Sequence, residues 1–165
     1  MKILIMGLPG SGKTTLAKPF ADLIGGVWIN ADQVRERYDD WDFSPEGRIR
    51  QAQRMRHLAD GIELAGKIAV ADFICPTEEL RNLFNADYTI WMDTIQEGQY
   101  ADTNAIFETP THVDYHVKKW FKDTHAELMK VVTNFRSARS GAAHETRGEF
   151  GPRALSRSAR HGARQ

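Results

Sequence analysis

The chain has 165 residues and a mass of 18.7 kDa, enough for one domain with a substantial core. The formal net charge is zero, and the single cysteine, Cys75, excludes an internal disulfide and the paired-cysteine zinc motifs, leaving a buried apolar role for that thiol. The opening apolar run is too short for a signal peptide and no stretch approaches the roughly 20 apolar residues of a membrane span, so a soluble, cytoplasmic protein without a membrane partner is expected.

In chain order, Lys2 to Met6 reads as a strand, followed by "GLPGSGKT", Gly7 to Thr14, and by the helix-like "TTLAKPFADLIG", in which Pro19 should introduce a kink. The pattern G-x-x-x-x-G-K-T between a strand and a helix is a phosphate cradle. Glycines let the backbone turn tightly and aim N–H groups at an anion, and the start of the helix adds its dipole. Gly7, Gly10, Ser11, Gly12, Lys13, Thr14 and Thr15 are therefore candidate ATP-binding residues, with Lys13 on the β- and γ-phosphates and the Thr14 hydroxyl on Mg²⁺.

"GGVWINAD" then reads as a second strand, and "QVRERY" as a short helix starting near Asp32. From Pro45 to Gly66, the residues Ile49, Ala52, Met55, Ala59 and Ile62 recur at helical spacing. "KIAVADFIC" is an apolar strand, Pro76 opens the helix "TEELRNLF", and "YTIWMDT" is another strand. Beyond Thr94 comes a long polar stretch of the kind that forms a lid, then a last strand in "DYHVKKW" and a closing helix marked by Phe121, Leu128, Val132 and Phe135. Strands alternating with helices imply a parallel sheet covered on both faces, with ligands at the carboxyl ends of strands. Those ends hold Asn30 and Asp32, then Asp72, then Asp93.

Asp72 is the most informative of these, because an acid inside an apolar strand is costly to bury unless paired. It should face the active site as a Mg²⁺ ligand or as the catalytic base. Asp32 would deprotonate an attacking hydroxyl, or merely cap the helix that follows it. The neutral total also hides an asymmetry: residues 136–165 carry seven arginines against Glu145 and Glu149, a charge of +5, which leaves −5 on residues 1–135. An acidic body with a basic tail does not suit a dedicated duplex-DNA binder, so nucleic acid is a possible but not favoured partner, and the phosphate loop makes small-molecule nucleotides the expected substrates. Residues 136–165, rich in Gly, Ala, Ser and Arg, are expected to form a disordered tail behind a domain of residues 1–135.

The order of "GLPGSGKTTLA", "INADQVRERY", "FSPEGRIRQ" and "ADFICPTEELR" resembles that of the adenylylsulfate kinases, over roughly residues 2 to 118. The resemblance implies an α/β fold of the three-layer P-loop NTPase type, with a central parallel β-sheet flanked by helices. It also implies transfer of the γ-phosphate of MgATP to the 3′-hydroxyl of adenosine 5′-phosphosulfate. Carried over by motif position, Asn30 and Asp32 stand where the family has two aspartates, Arg35 at the motif arginine and Phe43 at an aromatic that stacks on adenine. Arg48 and Gln51 fall where an arginine and an asparagine bind the acceptor. Lys13, Asp32 and Asp72 are then the catalytic candidates, and Thr14 and Asp72 the metal-holding ones.

Three departures stand out: Asn30 replaces an acid, Asp72 replaces a small residue, and no Lys or Arg occurs between Thr94 and Pro110, where the family's lid carries basic groups. Lys13, Arg35, Arg48 or Arg81 would have to supply that charge. A kinase for a hydroxymethylated base in DNA or a polynucleotide end, and a non-catalytic nucleotide-binding regulator, stay open as alternatives. "EFGPRAL", in the tail, is similar to a short carbamoyltransferase motif and carries no activity by itself.

Overall fold

A computed structural model describes residues 1–120 and 123–147, with side chains as far as 141. Phe121 and the stretch "EFGPRAL" lie outside the described residues. The chain divides into two units, Met1–Thr133 and Asn134–Gln165.

The first unit is built on a five-stranded, all-parallel sheet in the order β2-β3-β1-β4-β5. Its strands are β1 (Lys2–Met6), β2 (Val27–Asn30), β3 (Ala69–Asp72), β4 (Tyr88–Met92) and β5 (Tyr115–Val117). Strands covered on both faces are largely apolar, and all five residues of β1 are buried, Lys2 among them with its Nζ donating to Asp60 at 2.8 Å. Two faces follow from the alternation of side chains along each strand. Leu4, Met6, Ala69, Ala71 and Phe73 join Met55, Ala59, Leu80 and Phe84 in a core under α3 (Pro45–Leu64) and α4 (Glu78–Phe84). Residues of opposite parity, including Asp72 on β3 and both Trp28 and Asn30 on β2, share the other face, where α1 (Lys13–Ile24) packs against β1, β2 and β3. Parallel register pairs Ile5 and Asn30 with Asp72, one on each side of it.

The helices start where their residues supply caps. Ser44 accepts from Gly47 N ahead of Pro45, and Thr77 accepts from Leu80 N ahead of α4. α1 continues through Pro19 as a single element. α2 (Ala31–Tyr38) begins one residue before Asp32, and the cap is Asn30, whose side chain accepts from Gln33 N at 3.0 Å. Asp32 is therefore not the cap; it sits exposed in the first turn.

Two segments hold more helix than the sequence reading assigned to them. The polar stretch after β4 contains a short helix, α5 (Ala101–Ile106), and α6 (Thr124–Arg147) runs well past residue 135. The first residues of the segment expected to be disordered, 136–147, are thus helical. Leu128 and Val132 of α6 are buried, as their spacing suggests. Among the described residues, no helix is long and apolar enough to cross a membrane.

Candidate active site

The phosphate loop leaves β1 at Gly7, whose φ of 151° suits glycine and whose missing side chain matters sterically: a Cβ there would lie 2.5 Å from the Met92 carbonyl oxygen and 2.9 Å from Ser11 Oγ. The loop ends at Gly12, in the left-handed region with φ 95°, which caps α1 without a side-chain hydrogen bond. Inside the loop, Ser11 N donates to Leu8 O at 3.1 Å, so this amide closes a turn. Ser11 Oγ is buried and has no hydrogen-bond partner. Thr15 lies exposed in the first turn of α1.

Lys13 is the first residue of α1, and only 9% of it is exposed. It is not the surface lysine a loop position suggests; its Nζ donates to Leu8 O at 3.0 Å. Burial pulls its pKa below the ordinary 10.5, opposed by the charges of Asp72 and then Asp32. The sign of the consequence is fixed. Between the lowered value and 10.5 the folded chain releases a proton that the unfolded chain keeps, so stability rises with pH across that window and the burial penalty is fully present below it. In nucleotide-free protein, the stability advantage of Lys13→Met over wild type should therefore shrink as pH is raised from 7.5 towards 10.5. Urea titrations across that range check it, and a pH-independent difference would refute the burial of a charged lysine.

Asp72 is 2% exposed, and the cost of burying it is met by three donors on one oxygen. Thr14 Oγ1 donates to Asp72 Oδ2 at 2.9 Å, Asn30 Nδ2 at 3.1 Å and Trp28 Nε1 at 3.3 Å. Asn30 thus serves two partners, its oxygen capping α2 and its amide nitrogen holding Asp72. Reading strand by strand missed Trp28, although its alternation with Asn30 along β2 was the available signal. Among the described residues no cluster of three or more His, Cys, Asp or Glu side chains forms a metal cage. The hydroxyl and carboxylate of Thr14 and Asp72 instead make a two-oxygen set, which suits Mg²⁺ that keeps waters and phosphate oxygens as its other ligands.

Beside this pair opens a cavity of about 510 Å³, of a size suited to a small molecule. Gly10, Lys13, Thr14, Asn30, Asp32 and Asp72 line its floor, and Arg35, Phe43, Arg48 and Gln51 line its wall. Arg35 and Arg48 are buried rather than part of a solvated face. Arg35 NH1 donates to the carbonyls of Asp40 and Asp42 at 2.9 and 3.2 Å, and its guanidinium lies 4.2 Å from the Phe43 ring centroid. Arg48 donates through Nε to Phe43 O at 3.0 Å and through NH2 to Thr103 Oγ1 at 3.2 Å, with Asp102 at 3.8 Å. Burial lowers both guanidinium pKa values, opposed at Arg35 by Asp40 and at Arg48 by Asp102. Phe43 is 42% exposed, so it is an open aromatic face at the cavity and not a core plug. Gln51, 4% exposed, donates to Ala31 O at 2.9 Å while its Oε1 has no partner. Trp41, Tyr100 and Thr103 also line the cavity and escaped the sequence reading, since nothing in residue type separates them from loop residues.

Two candidates fall elsewhere. Asp93, at the end of β4, does not line the cavity; it accepts from His116 at 2.8 Å, and His116 stacks on Trp91. Arg81 is committed to structure: it donates to the carbonyls of Cys75, Pro76 and Glu108 at 3.0, 3.0 and 2.6 Å and to Glu78 at 3.3 Å. It clamps the far end of the 94–108 segment to α4, while Thr94 Oγ1 ties the near end to Ser11 O at 2.7 Å. Cys75 is buried, and the apolar surroundings push its thiol pKa up, which leaves it a packing residue.

A parallel sheet with the G-x-x-x-x-G-K-T turn at the end of its central strand, and a hydroxyl–carboxylate pair beside it, defines the P-loop kinase fold. A family model described as adenylylsulphate kinase matches residues 1–96, more than half of the chain, and the chain belongs to that family. It is 31% identical over 87 residues to a probable adenylyl-sulfate kinase of Aeropyrum pernix, covering 49% of this chain and 48% of that protein. It is 25% identical over 103 residues to the shikimate kinase of Corynebacterium glutamicum, covering 58% and 60%. The chain thus spans about half the length of the curated relatives it matches. Among solved structures, it is similar to the APS kinase CysC of Mycobacterium tuberculosis in complex with AMPPNP and APS, with a TM-score of 0.69 at 18% identity over 80% of this chain and 96% of that one. At that identity the likeness is one of fold.

Proposed function

We propose that this chain transfers the γ-phosphate of MgATP to the 3′-hydroxyl of adenosine 5′-phosphosulfate. The observation that carries the reading is the position of the acceptor cavity, which opens on Lys13, Thr14 and Asp72 and is walled by Arg35, Arg48 and Phe43. Family membership supports the same acceptor.

In this reading the loop amides and Lys13 receive the triphosphate, Lys13 exchanging its bond to Leu8 O for phosphate oxygens. Thr14 and Asp72 would hold Mg²⁺, which would supply positive charge to neutralise the phosphate being transferred. Asp32, exposed on the cavity floor and uncommitted to the helix cap, accepts the proton of the attacking hydroxyl. Asp72 is the weaker candidate for that step because its Oδ2 already serves three donors. Phe43 offers a face for the acceptor's base, Gln51 Oε1 an acceptor for an N–H or O–H, and the two arginines positive charge for its anionic groups.

The test is ADP release with MgATP and no acceptor, with adenosine 5′-phosphosulfate, or with single-stranded DNA containing hydroxymethylated pyrimidines. Turnover that depends on the phosphosulfate supports the reading. Turnover with DNA alone would replace it with a nucleic-acid kinase. Silence with both would favour the regulator that the lid's lack of Lys and Arg suggests.

The α2–α3 loop offers a separate check. A side chain on Gly47 would overlap the carbonyl oxygen of Asp42, which also accepts from Arg35. Gly47→Ala should cost about 1–3 kcal/mol by overpacking and raise KM for the acceptor while leaving KM for ATP unchanged. Equal acceptor KM values in steady-state kinetics would remove this loop from the acceptor site.

A further inference from the structure

The acceptor cavity takes its strand residues from one side of the phosphate loop, with Gln99, Tyr100, Asp102 and Thr103 of the segment after β4 completing its lining. Its strand residues come from β2 and β3, with Asn30 and Asp72 at the ends of those strands. A nucleoside triphosphate whose terminal phosphate faces that cavity must carry its nucleoside away from it. The sheet order leaves β4 and β5 as the ground on the other side of β1.

That ground holds an aromatic residue with no role in the acceptor site. Trp120 is the third residue past the end of β5, and one edge of its ring system rests against the loop's last glycine. A methyl built on Gly12 would touch Trp120 Cε3 and Cζ3 at 3.8 and 4.0 Å and Met92 Cε at 3.7 Å. These are ordinary van der Waals separations, so the indole is packed against the residue that caps α1 and immediately precedes Lys13. Even so, 40% of Trp120 remains exposed. That leaves part of the indole open beside the loop, where a flat ring could stack on it. The two residues between it and β5, Lys118 and Lys119, are exposed cations, in a chain whose 94–110 segment has none.

We propose that the Trp120 indole is the platform on which the base of the donor nucleotide stacks. The assignment rests on the phosphoryl-transfer reading above, because it needs phosphate in the loop. Stacking on an aromatic face contributes about 1–3 kcal/mol per base, which is roughly 5- to 150-fold in affinity. It acts on the base alone, whereas Gly12 and Lys13 act on phosphate, and that difference makes the two contributions separable.

The experiment is isothermal titration of the full chain with Mg²⁺ and either ADP or inorganic tripolyphosphate, for wild type, Trp120→Ala and Trp120→Phe. Trp120→Ala should weaken ADP by about tenfold or more and leave tripolyphosphate unchanged, and Trp120→Phe should retain most of the ADP affinity. Unchanged ADP affinity in Trp120→Ala would overturn the proposal. An equal loss for ADP and tripolyphosphate would overturn it too, by showing that the indole only supports the loop. A wild-type chain that binds neither compound would refute the nucleotide reading itself, a result distinct from the other two because it precedes any substitution.

Discussion

Lys13→Met is expected to lower kcat/KM for phosphoryl transfer by about 10³-fold or more, close to 4 kcal/mol of transition-state stabilisation, while the protein stays folded. The size of the loss follows from what surrounds the transferring group. The 94–110 segment supplies no cation, Arg81 is held by three carbonyls and Glu78, and Arg48 is shared with Thr103, Phe43 O and Asp102. Arg35 is likewise held, by the carbonyls of Asp40 and Asp42, which leaves Lys13 as the cation at the loop. The fold should tolerate the change because methionine keeps the buried stem and removes a charge whose burial is unfavourable. Initial rates at saturating acceptor, with a thermal melt of the same sample, test both halves. Retained turnover in a folded variant would overturn the catalytic assignment.

Asp72→Asn should reduce kcat by about 10²-fold or more, and this loss should be read together with a modest drop in stability. The carboxylate oxygen that accepts from Thr14, Asn30 and Trp28 becomes an amide with one acceptor atom and no charge. At least one donor then loses its partner, at about 1–3 kcal/mol. The distinguishing readout is thermal stabilisation by ADP with and without Mg²⁺. The Mg²⁺-dependent part should vanish in the variant, whereas a purely structural aspartate would leave it intact.

The sequence announced the phosphate loop and the parallel α/β architecture because both are written locally: a strand, a glycine-rich turn and a helix occupy consecutive residues, and the apolar spacing of α3 repeats over its whole length. The acid in β3 was legible for a different reason, as a residue whose burial is too costly to be accidental. What escaped were facts of register and packing. That Asn30 caps α2 and also holds Asp72 depends on β2 lying beside β3, which a one-dimensional pattern does not contain. The fate of Arg81 depends on a carbonyl 27 residues away, at Glu108, and that of Asp93 on a histidine in the next strand. The extension of α6 was hidden because composition rich in Gly, Ser and Arg reads as disorder even where a helix forms.

The strand order also has a consequence for how this chain can change. Because β1 stands between β3 and β4, Asn30 and Asp72 reach the cavity from strands on one side of it, whereas Gln99, Tyr100, Asp102 and Thr103 reach the same cavity from the chain after β4. Recombination within the segment linking β4 to α5 would exchange Asp102 and Thr103 together with Trp120, so the cavity wall around Arg48 and the ground beside Gly12 would change as one piece.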